Sequence, residues 1–486
     1  MSTIKNNVKI AIVGGGIAGS SIAIYLGKLG LNVTLFEKND SIVSGPPICH
    51  LHAGGNLYRE ISNTQCITLL KESIDLLKLY PNSIDYRPTV LAVPKEDGGK
   101  PEDIYDRLEL LKIEYKKLIK QDNSNEVLCS SDDYFKIYDK ETVEYLKTKD
   151  IVKNPSNFDE WMIPVAKNLD FEKLKFPLIM VQEYGLNIFR LSASAVLMLE
   201  NINTAKLLTN TKVTNIIEDK VKDGYIVEYE NNDQLKQEHY DYLINSAGFR
   251  TGTIDDMLGF KKDRLVEFKS AYVTKWENCS DIWPEVIFFG QRGTPQGMGQ
   301  FTPYPNGHFQ IHGMTESITL FKDGLVKNCS LSAQPKLEQK FIDKIDKSWS
   351  TTEIEERTNR SIEHIKQYIP NFKDVKVASK PLYGAQQIPG SDSSLRTADV
   401  SFENSRYARC EIVKASSVLT MSDLIVEQLI NLEYLDKDVQ NTREFLYDFN
   451  FDNEKITKIA KELCKERDYP IDLGYTNTSV NRCNKI

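Results

Sequence analysis

The residues whose type and spacing speak most directly of chemistry are Gly14-Gly15-Gly16-Ile17-Ala18-Gly19, a G-x-G-x-x-G run. Such a run works through its backbone. The first glycine permits a tight turn, the second lets the main chain approach a pyrophosphate, and the third lets a helix pack closely on a strand. The free N–H groups and dipole of that helix's first turn favour phosphate. The motif gains weight from its surroundings. Val8 to Val13 reads as a buried parallel strand, an apolar helix follows to Leu29 and stops at Gly30, and a second strand runs from Asn32 to Glu37. Glu37 can accept hydrogen bonds from ribose hydroxyls, and its charge would repel a 2′-phosphate, which disfavours NADP. The fingerprint fits the ADP moiety of either NAD or FAD and does not separate them.

Positioning such a turn takes a doubly wound sheet, and the rest of the chain supplies candidates for it. A second strand ending in a glycine turn, Asp241 to Gly248, comes some 230 residues after the first. The interval argues for a nucleotide domain interrupted by a substrate domain. Helices are expected near 64–79, 188–202, 350–370 and 417–432, and residues 100–175 have helical character. Lys212–Ile217, Tyr225–Tyr229 and 407–413 read as strands, and the aromatic and β-branched stretch 265–320 suggests an antiparallel sheet. Residues 10–27 carry no charge, but they hold five glycines and fall short of a membrane helix.

Composition narrows the classes further. At 486 residues the chain exceeds one ordinary core, and its net charge of −8 argues against nucleic acid as a partner. Its eight cysteines show neither a CxxC pair nor metal-ligand spacing, so no disulfide framework is expected. With no secretory signal, the expected compartment is the cytoplasm. No transmembrane segment is expected; the tail is a candidate for docking on a partner or membrane surface.

These motifs resemble the D-amino-acid-oxidase-like superfamily of FAD oxidoreductases, over about residues 8–430. The resemblance rests on the glycine turn with Glu37; on the loop His50-Leu51-His52-Ala53-Gly54-Gly55-Asn56-Leu57-Tyr58; and on Gly185 to Leu191. It continues with Lys212-Val213-Thr214, Asn245-Ser246-Ala247-Gly248, and the closing segment Tyr383 to Thr420. The resemblance implies FAD as cofactor, held by Gly14, Gly16, Ile17, Ala18, Gly19, Glu37, Lys38, His52, Ala53, Gly54, Gly55, Val213, Ala247, Gly248, Lys414, Ala415 and Ser416. The chain departs from the family where amino-acid oxidases commonly carry Arg-Pro: here the stretch reads Gln386-Gln387-Ile388-Pro389. The family's glycine-rich flavin turn is replaced by Val413 to Ser417.

Oxidation of an alcohol needs a base near neutral pH, which suits histidine. His50 and His52 lie in the loop that the resemblance places beside the flavin; the plainer reading is loop anchoring. In Gly307–Gly313, alternation puts His308, Gln310 and His312 on one face. That face either lines a cavity, making His312 the favoured base, or meets solvent on an edge strand. Ser416 and Ser417 are candidate N-caps, and Lys414 a cation for negative charge on the flavin. Arg396, Arg406 and Arg409 are candidate clamps or surface salt-bridge residues, and Cys410 is a buried spectator thiol or a flavin attachment point.

The expected fold is α/β. A discontinuous Rossmann-like FAD-binding domain (1–85, 181–260, 381–432) carries an inserted α+β substrate domain on an antiparallel sheet (86–180, 261–380), followed by a C-terminal helical tail (433–486). The expected reaction is hydride removal from a small hydroxy-acid-like substrate; the electron acceptor is not specified by the sequence, with quinone and oxygen as candidates. The alternatives are an amine or amino-acid oxidase and a flavin-binding protein without turnover.

Overall fold

The computed structural model describes residues 8–45, 61–393, 395, 398–412, 414–440 and 442–476. The first strand, Lys9–Val13, lies between the parallel strands Asn32–Phe36 and Tyr242–Asn245 in a six-stranded sheet. Ala205–Leu208 extends it in parallel on one side. Tyr407–Glu411 does so on the other, edged by the antiparallel Asp399–Asn404. Ile10, Ala11 and Ile12 are fully buried because helices and loops cover both faces, as an apolar run in a parallel strand requires. Lys9 escapes at the strand's start and pairs with Glu238 at 2.8 Å. The helix Ile17–Lys28 is buried through most of its circumference, because it sits between this sheet and the helix Val418–Asn431.

The second body is a ten-stranded sheet, antiparallel except where Thr89–Pro94 pairs in parallel with Glu285–Phe288. Its central strands run Arg264–Trp276, His308–Gly313, Gly299–Tyr304, Glu285–Phe288. One face presents Val90, Val286, Phe288, Phe301, Phe309 and Ile311 to the helices Phe158–Asn168 and Thr351–Lys366. Phe301 and Phe309 stack there with centroids 4.2 Å apart. The other face contributes Leu91, Val273, Ile287 and Leu382 to the same core as the nucleotide sheet's helices. The two bodies therefore share a continuous interior, and the sheet has one face turned to the nucleotide unit.

The expected helices at 64–79, 188–202, 350–370 and 417–432 form as Asn63–Leu79, Ile188–Glu200, Thr351–Lys366 and Val418–Asn431. The stretch 100–175 is less uniform than its charge pattern suggests, since the strand Phe135–Tyr138 separates its helices. A third strand, Gln234–Tyr240, joins the pair expected at 212–229; its mostly polar side chains hide it. The C-terminal segment is not peripheral. Ile456, Ala460, Leu463 and Leu473 belong to the main core, because the helix Asn453–Glu466 packs on Ile188–Glu200. Cys129 is disulfide-bonded, against the expectation of reduced thiols, while Cys66, Cys279, Cys329, Cys410 and Cys464 are free. Among the described residues no helix is long and apolar enough to cross a membrane.

Candidate functional site

The glycine turn has the geometry its sequence demands. Gly14 sits at φ +103°, where a Cβ would lie 2.5 Å from the Ser246 carbonyl oxygen. A Cβ on Gly19 would lie 1.9 Å from the Gly14 oxygen, which is the close helix–strand approach expected of the third glycine. Among the described residues, nothing lies within 4 Å of where a Cβ on Gly16 would stand. Gly16 is also the N-cap of its helix, and no side chain caps it. The first-turn N–H groups of Ile17, Ala18 and Gly19 thus lie beside an open cradle.

Glu37 is buried at 7% exposure, at the end of the neighbouring strand. One carboxylate oxygen accepts from the Gly15 N–H and the other from the Asn39 N–H, both at 2.8 Å. Each oxygen keeps a lone pair for a further donor. Burial pushes the carboxyl up, against the opposing pull of those two N–H groups. Lys38 points elsewhere: it is exposed and pairs with Asp346 at 3.2 Å. Val213 lies in the strand Thr211–Glu218, behind Phe36 and Tyr229 in one core cluster.

The second glycine element closes on the first. The Ser246 hydroxyl donates to the carbonyls of Val13 and Gly14, and Ala247 and Gly248 follow directly, with Gly248 at φ +60° and none of the described residues within 4 Å of where its Cβ would stand. Asn245, fully buried, donates to the Thr251 carbonyl and the Tyr407 hydroxyl. His50, His52, Ala53, Gly54, Gly55 and Arg396 lie outside the described residues. Ala415–Ser417 forms a short 3-10 turn after Lys414 and leads into Val418–Asn431. The expected serine caps do not form. The Ser417 hydroxyl instead donates to Glu72 at 2.8 Å, a buried carboxylate on a neighbouring helix, and Ser416 makes no side-chain cap.

The His308–Gly313 strand is interior, between Arg264–Trp276 and Gly299–Tyr304, so the solvent-edge reading of it fails. His308, Gln310 and His312 are buried, His312 at 2% exposure. Gln300 lies opposite His312, Thr302 and Val273 opposite Gln310, and Ile287 opposite Gln300. Since paired residues share a face, this polar row faces the nucleotide unit with Val273 and Ile287. Glu285, on the same face, accepts from Gln300 and from Arg87, the latter at 2.7 Å. Further along, Glu267 is held by Arg292 and by Lys269 at 2.7 Å, and Lys269 also donates to Gln386 at 3.1 Å. Sequence reading missed this cluster; the i, i+2 placing of Glu267 and Lys269 in a long strand was its only signal.

The other charged candidates are structural. Arg409 is not a surface residue: at 1% exposure it binds Asp255 at 2.8 Å, beside Arg264, which bridges Asp255 and Glu411. Arg406 stacks near Tyr434 and pairs loosely with Asp223. Cys410 is a buried thiol whose pKa burial pushes far up, the unreactive reading.

These residues fit FAD. The cradle above Gly16, the uncapped helix start and the remaining lone pairs of Glu37 suit its ADP half. On the facing sheet, the Thr302 hydroxyl and the Gln310 amide oxygen are buried without a partner among the described residues, and can serve a group held between the two bodies.

Comparison with known proteins agrees. Residues 9–130 match the family model of the FAD-dependent oxidoreductases called DAO. No curated protein is similar enough in sequence to count as a relative. Among solved structures, the chain resembles glycine oxidase from Geobacillus kaustophilus with a TM-score of 0.56 at 13% identity, covering 88% of this chain and 95% of that one. It resembles the glycerol-3-phosphate dehydrogenase from Bacillus halodurans complexed with FAD with a TM-score of 0.55 at 14% identity, covering 97% and 74%. For L-alpha-glycerophosphate oxidase from Mycoplasma pneumoniae with FAD bound, the TM-score is 0.53 at 16% identity, covering 91% and 98%. The family model thus falls on the glycine turn, and the fold around it is similar to that of these flavoenzymes.

Proposed function

We propose that the chain oxidises a small hydroxy-acid-like molecule, with His312 accepting the hydroxyl proton. One observation carries the reading: His312 is secluded on the sheet face turned to the nucleotide unit, in a row with Gln300, Thr302 and Gln310. Bound FAD supplies the hydride acceptor. The chain's own groups supply the rest. As the C–H pair of electrons leaves with hydrogen, the hydroxyl proton passes to a neutral His312 nitrogen, and the alcohol becomes a carbonyl. Gln300 and Gln310 flank the imidazole and orient the reacting oxygen.

The anionic end of the substrate is assigned to Lys269 and Arg292, two cations that share the single carboxylate of Glu267. Lys269 donates to Gln386, in the stretch where the sequence lacks the family's Arg-Pro pair. His52 is the second candidate base, on the loop outside the described residues. The cofactor is assigned to Gly14, Gly16, Ile17, Ala18, Gly19, Glu37, Ala53, Gly54, Gly55, Val213, Ala247 and Gly248, without Lys38, which is paired with Asp346. Lys414, Ala415 and Ser416 are assigned to its ring. In this reading residues 1–85, 181–260 and 381–432 form the cofactor domain, 86–180 and 261–380 the substrate domain, and 433–486 a C-terminal segment. Electrons leave to a quinone or to oxygen.

A second reading, oxidation of an amine or amino acid, is favoured by Glu267, a buried carboxylate on the substrate face that suits an ammonium group. Anaerobic mixing with matched hydroxy acids and amino acids decides between them. Bleaching of the flavin by hydroxy acids supports the first reading, and bleaching by amino acids alone supports the second. Peroxide release in air marks oxygen as the acceptor.

A further inference from the structure

The C-terminal helix Asn453–Glu466 ends on Arg467, whose guanidinium turns back into the nucleotide unit. It donates to the Ile42 carbonyl at 2.7 Å, the Val43 carbonyl at 3.2 Å, and the hydroxyls of Ser41 and Ser192 at 3.1 and 3.2 Å. Ser192 donates to the same Ile42 carbonyl at 2.7 Å. The 41–43 segment leans directly on the glycine turn. Val43 donates its N–H to the Gly15 carbonyl at 2.9 Å, and a Cβ on Gly15 would come within 2.8 Å of the Ile42 side chain. Gly15 in turn donates to Glu37 at 2.8 Å. Val43 sits at φ +54°, a conformation that a β-branched residue adopts only when its surroundings impose it. The fixed groups that impose it are the Gly15 carbonyl on one side and Arg467 on the other.

We propose that Arg467 is a positioning residue for the cofactor. By holding the carbonyls of Ile42 and Val43, it fixes the segment that sets Gly15 and the Glu37 carboxylate, so the C-terminal segment forms part of the FAD site. A planar, always-charged fork suits this task, since one side chain satisfies two carbonyls and two hydroxyls at once. The proposal rests on the assignment of FAD to the glycine turn.

The test measures FAD affinity of the deflavinated full-length chain by flavin fluorescence, alongside its urea midpoint. Arg467→Met is expected to weaken FAD binding about tenfold, the equivalent of one charge-assisted hydrogen bond network lost. Arg467→Lys, which keeps the charge but not the fork, should recover part of that. Phe372→Leu, in the aromatic cluster on the far sheet face, lowers the urea midpoint without touching the turn and should leave FAD affinity within about twofold. Wild-type affinity in Arg467→Met overturns the proposal, as does an equal loss in Phe372→Leu. If Arg467→Met does not fold, Arg467→Lys stands in for it: weaker binding than Phe372→Leu supports the proposal, and wild-type binding overturns it. A wild-type chain that does not bind FAD overturns the cofactor assignment itself and the proposal with it.

Discussion

The Ser246 hydroxyl donates to the Gly14 carbonyl oxygen at 2.9 Å, across 232 residues of sequence. It ties the two glycine elements together where a Gly19 side chain would collide with both partners. Ser246→Ala should therefore lower the unfolding free energy by about 1 kcal/mol, read from the urea midpoint. Gly19→Ala should do far more: its methyl has no room against the Gly14 oxygen, and the purified variant should be colourless.

In the proposed cofactor site Glu37 acts through its charge. Glu37→Gln should weaken FAD binding by about 1–2 kcal/mol, measured by titration, with the fold retained. Burial holds the Glu37 carboxyl above its ordinary range. Hydroxyl donors from a ribose favour the ionised form, so FAD binding lowers this pKa and affinity must fall as pH drops through the raised value. The glutamine variant should lose that pH dependence.

Asp85 is buried at the junction of the two bodies, and burial pushes its carboxyl up to about 6 despite the nearby Arg87 and Arg190. The folded state therefore holds a proton between the unfolded value and about 6 that the unfolded state has released. Stability should fall as pH rises through that window, and the penalty is fully present above it. Asp85→Asn should gain about 1–3 kcal/mol over wild type at pH 8 and nothing at pH 4, in urea unfolding at both.

Much of the nucleotide unit was legible because its signals are local. The glycine spacing, the strand before it and Glu37 after it all fall within thirty residues. Alternation along His308–Gly313 likewise grouped His308, Gln310 and His312 correctly on one face. What alternation does not contain is which face meets what. That depends on the pairing of Val273 with Gln310 and of Ile287 with Gln300, contacts set by the whole sheet. The same holds for Arg409, whose partner Asp255 lies 154 residues away, and for Ser417, which gives up a local cap for Glu72 on another helix. Arg467 looked like part of a polar tail, because its burial comes from a loop far back in the chain.

The central claim is that His312 takes the proton as hydride leaves a hydroxylated carbon. Stopped-flow flavin reduction under anaerobic conditions, with a hydroxy acid that bleaches the wild type, tests it most directly in His312→Gln. The account predicts an unchanged flavin spectrum and reduction slowed at least about tenfold. Reduction at the wild-type rate would contradict it and move the base to His52.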